Sequence, residues 1–300
     1  MLKENNQKIL PKREKILQLE KPSLLIHKKI FLWEAFLFFF IQVFGIFSAF
    51  KINKILKIEK VVVSPLSLKQ FFISFILATL FILFILFFIK EKKKKGIIFK
   101  VLFLLATWWT GLLVLSIWIS DLPALALMTF LVILWWKKPS VLIHDLCIIF
   151  GISGIGAILG LRLMPEIVIF LLLIFSIYDW IAVYKTKHMI KMAKEMIESR
   201  AILALICPPR ISGFGAGLKE IKPGGKFLIL GGGDVVFPLL LAVSLISTGI
   251  LNSFIIAFFA LIGLFLSFLI FFFQKVRQPI PALPPIALFS IIGYLITLII

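Results

Sequence analysis

Acidic residues are scarce in this chain of 300: 14 Asp and Glu stand against 33 Lys and Arg, for a formal charge of +19. Histidine occurs three times and cysteine twice. Cys147 and Cys207 form no CxxC pair and join no His–Cys group of metal-ligand spacing, which argues against both a disulfide framework and structural zinc. Neither an HExxH motif nor a Ser–His dyad is available for zinc or serine hydrolysis. Any chemistry must come from the few carboxylates.

What is abundant is apolar. Hydrophobic residues make up 61% of the chain, 33 of them Phe, and the mean hydropathy is +1.12. Soluble domains carry about 45–50% apolar residues, and no water-soluble core of this length could hide such an excess. The composition is that of a polytopic membrane protein. The positive charge lies in short blocks between apolar runs, such as Lys90 to Lys95 and Lys137-Lys138. That placement sets membrane topology and favours anionic lipid headgroups; it argues against nucleic acid as a partner.

Apolar runs of roughly span length occur at about 30–50, 71–89, 97–119, 122–136, 141–161, 167–184, 227–247, 249–273 and 279–300, each near the ~20 residues a crossing needs. Nine helices are therefore expected, in an all-α fold. Residues 1–29 read as a basic cytoplasmic tail and 30–300 as a single transmembrane domain. Within it, 30–184 supplies helices one to six, 185–226 a cytoplasmic loop and 227–300 helices seven to nine. The run from Ile30 to Phe50 reads as a retained first helix, not a cleaved signal. With the amino terminus cytoplasmic, all Lys and Arg fall inside except Lys51, Lys54, Lys57, Lys60, Lys69 and Arg162. The positive-inside rule then puts the carboxyl terminus outside. In the 185–226 connection, the stretch from Lys185 to Ile206 has mixed charge at helical spacing and is expected to lie in the interface. The Pro- and Gly-rich remainder reads as turn or mobile loop.

Most of the acids belong to tails or loops. Glu34, Asp121, Asp145 and Glu166 fall within a turn of a span end, where a carboxylate is expected to reach water, and Glu34 is given no chemistry. Asp179, in IFSIYDWIAVY, and Asp234, in LGGGDVVFP, lie deeper. An ionisable group inside a span is costly and marks function by default. Asp179 stands five residues before the end of the sixth run, and Asp234 seven residues after the start of the seventh. At about 1.5 Å per residue both lie roughly 7–10 Å in from the same boundary, on adjacent antiparallel helices. Two carboxyls brought together there would share a proton. One could then activate water while the other hydrogen-bonds a scissile carbonyl.

Gly231, Gly232 and Gly233 weaken the helix just before Asp234 and permit close backbone approach, although glycine also serves ordinary helix packing in membranes. Pro279, Pro281, Pro284 and Pro285 make the start of the ninth run irregular, on the same side as both acids. Such backbone must be buried in protein or line a wet cavity; there it could hold an extended peptide. A proline-rich helix start is the plainer reading.

Together these segments resemble the presenilin and signal peptide peptidase family of intramembrane aspartyl proteases. Tyr178-Asp179 is similar to its YD motif, Gly231-Gly232-Gly233-Asp234 to GxGD and Pro281-Ala282-Leu283 to PAL, in the family's order on helices six, seven and nine. The brevity of the chain is most like the archaeal homologues. The resemblance implies that Asp179 and Asp234 form a catalytic dyad and that Gly231 to Gly233 shape the site. It gives Pro281, Ala282 and Leu283 a role in positioning substrate, and Tyr178 an orienting one. It further implies a multi-pass enzyme of a prokaryotic cell membrane that cleaves transmembrane segments without metal or organic cofactor. The connection between helices six and seven is shorter than in animal presenilins.

Other features read more plainly. His188 is expected to be a solvated interfacial side chain. Gly213, Gly215 and Gly217 mimic a phosphate loop but lack a preceding strand and a GK[ST] end. The pairs Trp108-Trp109 and Trp135-Trp136 suit packing or an interfacial belt. Two alternatives use the same acids: a prepilin-peptidase-like GxGD protease, which lacks PAL, and a proton- or cation-coupled transporter.

Overall fold

A computed structural model describes residues 24–300 except 62, 89–91, 187, 223–224 and 275–278. Most of the expected basic tail lies outside the described residues. The helices are α1 (Leu24–Ile58), α2 (Leu68–Phe88), α3 (Lys92–Ser116), α4 (Asp121–Lys137), α5 (Val141–Gly160) and α6 (Pro165–Trp180). They continue with α7 (His188–Ser199), α8 (Gly232–Ser244), α9 (Ile250–Phe272) and α10 (Leu283–Thr297). Among the described residues, six segments are long and apolar enough to cross a membrane: Lys29–Ile58, Leu68–Ile85, Gly96–Ser116, Val141–Gly160, Pro165–Lys185 and Ile250–Phe272. Helices α8 and α10 are apolar but shorter, and α4 carries charge only at its two ends.

Helix α5 is the hub, packed against α1, α3, α4 and α8. Its small residues make this possible, since small side chains let helix backbones approach closely. A Cβ on Gly154 would run into the Thr110 carbonyl of α3, and one on Gly156 would run into the Leu239 side chain of α8. Helix α9 packs along α10, α1 and α8, and α6 joins α8 and α10. Helix α2 lies outside this core: none of the window Leu68–Ile85 is buried, as a lipid-facing helix requires.

The expected helical character of 185–206 is met by α7. The rest of that connection is ordered, and it corrects the all-α expectation. Ala204–Cys207 (β1) pairs antiparallel with Leu228–Gly231 (β2), with Ala204 opposite Gly231 and Cys207 opposite Leu228. Short apolar runs such as ALIC and LILG suit a buried strand as well as a helix; here extended pairing takes them. The seventh helix consequently starts at Gly232, not near residue 227. The Pro- and Gly-rich stretch forms two 3-10 turns, Ile211–Gly215 and Leu218–Glu220. Backbone bonds tie it to the α4–α5 junction, from Val141 N–H to Ala216 O at 2.9 Å and from Leu218 N–H to Pro139 O at 3.0 Å.

At the start of α10 the chain is non-helical through Pro281, with Ala282 as N-cap and Leu283 as the first helical residue. Pro284 and Pro285 fall in the first turn, where no intrahelical N–H donor is needed. The irregular segment is thus shorter than four prolines suggested.

Candidate active site

Helix α6 presents Asp179 one residue before it ends at Trp180 and widens into a π-turn over Ile181–Lys185. Helix α8 presents Asp234 in its first turn, with Gly231 as N-cap. Both carboxylates are buried, at 5% and 8% exposure, and Asp179 lies close enough for its charge to act on Asp234. The rings of Phe175 and Phe237 stack at 4.7 Å and 30°. One lies a turn before Asp179 and the other a turn after Asp234, so this contact holds the two helices at matched depth.

Each carboxylate lies against backbone from a different segment. The Leu283 N–H donates to Asp179 Oδ2 at 3.4 Å, whereas the buried Asp179 Oδ1 has no hydrogen-bond partner. This bond joins PAL to YD. The Asp234 carboxylate folds back over Gly231, the N-cap of its helix, and a Cβ on Gly231 would come within 2.9 Å of Asp234 Oδ2. Glycine there leaves the carboxylate room, which is a sharper reason for it than helix weakening. Gly232 donates its N–H to Leu203 O at 2.9 Å. Gly233 is exposed, and a Cβ there would meet only the Phe237 ring, at 3.8 Å.

The α8 backbone beside Asp234 is itself irregular. Pro238 sits inside the helix and has no N–H to give the Asp234 carbonyl one turn earlier. The next carbonyl, of Val235, accepts from Gln42 Nε2 of α1 at 2.9 Å. On the other side, Ser267 of α9 donates to Ala282 O at 3.2 Å, and Pro281 is buried. Tyr178 faces the other way, 52% exposed on α6.

Two acids expected to reach water do not. Glu34 is 5% exposed and Asp145 1% exposed. Their span ends are covered by β1, β2 and the Ile211–Gly215 turn, which nearness to a sequence boundary could not reveal. The Asp234 charge reaches Glu34, which places this buried acid near the pair. His144, next to Asp145, is wholly buried and binds β1 with it. Only its position beside an acid near a span end offered a signal.

A pair of buried, charge-coupled carboxyls from neighbouring helices of an apolar bundle defines a membrane-embedded aspartyl site. The comparisons narrow the class. A family described as "Signal-peptide peptidase, presenilin aspartyl protease" matches residues 35–300. Two solved structures, both of a presenilin family intramembrane aspartate protease, share the fold. The C222 crystal form has a TM-score of 0.62 and 20% identity, covering 89% of this chain and 97% of that one. The P2 form has a TM-score of 0.60 and 21% identity, covering 93% and 98%. No curated protein matches. The chain belongs to the signal peptide peptidase and presenilin family, and it is an intramembrane aspartyl protease.

Proposed function

We propose that Asp179 and Asp234 are the catalytic pair and that the substrate is the transmembrane segment of another membrane protein. The observation that carries this reading is the placement of both buried carboxylates on two packed helices, a turn from the Phe175–Phe237 stack that joins them. One carboxylate takes a proton from water, and the resulting nucleophile attacks the scissile carbonyl carbon. The other, protonated, donates to the carbonyl oxygen; the amine then leaves with a proton.

The surrounding residues take supporting roles. Leu283 steadies Asp179 through its N–H, and Pro281 and Ala282 supply the non-helical turn that brings this N–H to the site. Gly231 leaves the Asp234 carboxylate room, Gly232 anchors the turn to Leu203, and Gly233 leaves open space before the Phe237 ring. Tyr178, exposed beside Asp179, offers its ring to a substrate helix arriving from the lipid side.

Counting α4, α8 and α10 as short spans gives nine crossings. The distribution of Lys and Arg favours a cytoplasmic amino terminus, an outer carboxyl terminus and a catalytic pair near the cytoplasmic face. Residues 1–29 would be a basic tail, and 30–300 one catalytic domain in a prokaryotic cell membrane. The test is incubation of reconstituted protein with a single-span peptide. Products ending within the span support the reading; an intact peptide, with proton-driven solute uptake instead, would overturn it.

A further inference from the structure

Strand β1 is held on both sides. In a strand, a residue's N–H and C=O point to one side and those of its neighbours to the other. Ala204 and Ile206 both turn to α5. The Ala204 carbonyl meets His144 Nε2 at 3.1 Å, and the Ile206 N–H donates to Asp145 Oδ1 at 3.0 Å. Leu205 and Cys207 therefore turn the other way, to Leu230 and Leu228 of β2.

The imidazole is fixed in one form. Trp135 Nε1 donates to His144 Nδ1 at 3.2 Å, and an indole N–H can only donate. Nδ1 is therefore the acceptor, and Nε2 carries the hydrogen that Ala204 O receives. The Phe103 ring stacks on the same imidazole at 5.5 Å and 22°. His144 is 0% exposed and Asp145 1%. Two adjacent polar side chains are thus buried in the hub helix, and each spends a hydrogen bond on one strand.

That strand leads to the active site. Gly231 pairs with Ala204, Gly232 bonds Leu203, and Gly231 is the N-cap of the helix that carries Asp234 in its first turn. A shift of β1 along α5 would carry β2 with it and re-aim Asp234. We propose that His144 and Asp145 are positioning residues for Asp234, clamping the outer edge of β1 so that the β1–β2 register sets the catalytic carboxylate. This rests on the assignment of Asp234 to the catalytic pair.

The experiment compares full-length Asp145→Ala, Asp145→Asn, His144→Phe and His144→Gln with wild type in proteoliposomes. It reads kcat and KM on a single-span peptide, and cut positions by mass spectrometry. Asp145→Ala and His144→Phe should lower kcat about tenfold or more, with KM within about twofold, since each removes one buried strand hydrogen bond. They should also move the cut positions. Asp145→Asn keeps an oxygen for the Ile206 N–H, and His144→Gln keeps an N–H for Ala204 O. Both should hold kcat within about threefold of wild type. Unchanged kcat and cut positions in the Ala and Phe variants would overturn the clamp, as would an Asn variant as impaired as Ala. If the Ala and Phe variants do not fold, amide exchange at Ile206 decides. Slow exchange in wild type and Asp145→Asn supports the clamp; exchange as fast as in an exposed loop overturns it. Asp234→Asn is assayed alongside: cleavage by it removes the catalytic assignment, whereas an inert Asp234→Asn beside a fully active Asp145→Ala removes the clamp alone.

Discussion

The Leu283 N–H donates to Asp179 Oδ2 across 104 positions of sequence. Leu283 is the first helical residue of α10, so its N–H is one of the four that an α-helix leaves free. The helix start supplies a donor that no side chain could lose, and it spends that donor on the buried acid. This makes the PAL segment part of the catalytic geometry as well as a turn.

Removing that donor should therefore cost activity more than stability. Proline is tolerated at the first helical position, so Leu283→Pro deletes the N–H at a permissive place. Loss of a hydrogen bond to a charged group, about 1.5–3 kcal/mol, corresponds to a fall in kcat of about tenfold or more. Leu283→Met keeps the N–H and should retain most activity. Equal kcat in the two variants would show that the bond is idle.

The stack of Phe175 on Phe237 should couple the two catalytic helices. A double-mutant cycle with Phe175→Leu and Phe237→Leu isolates the pair. The expected coupling is about 0.5–1.5 kcal/mol in thermal or denaturant unfolding, the range for aromatic pairs. Both single variants should lower kcat, because the matched depth of Asp179 and Asp234 rests on this contact. Additive effects on both stability and rate would place the register elsewhere.

Gly263 marks where α9 meets the start of α10. A Cβ there would come within 2.6 Å of the Ile286 Cα and 2.7 Å of the Pro285 carbonyl, both backbone atoms that cannot swing aside. Gly263→Val should push the two helices apart at a cost of about 1–3 kcal/mol. It should also draw the Leu283 N–H from Asp179, so that kcat falls even well below the lowered Tm. A stable variant with full activity would mean that this close approach is not needed.

Activity should rise and then fall with pH. At low pH both carboxyls are protonated and no base remains; at high pH both are ionised and no acid remains. The optimum belongs to the coupled pair, not to either residue. A rate that changes in one direction only across the stable range would contradict a shared proton.

The two buried span carboxylates stand out in the sequence because a carboxylate within an apolar run is costly and therefore rare. Matched distances from the run ends then paired them. The strand pair could not be read so, because ALIC and LILG have no periodicity to separate strand from helix. The strand pair also hides the depth of Glu34 and Asp145: nearness to a span end predicts contact with water, yet the β1–β2 layer covers that end of the bundle. His144 is a different case. Its role depends on the backbone of a strand 60 residues away, a distance no local motif bridges.

The central claim is that Asp179 and Asp234 act as one unit, and it is tested most directly by kcat for Asp179→Asn, Asp234→Asn and the double variant on one single-span peptide. Residues that act as a unit are non-additive. Each single substitution should abolish cleavage as completely as the pair, with all three proteins retaining the wild-type thermal transition. Cleavage by either single variant above the level of the double would contradict the account.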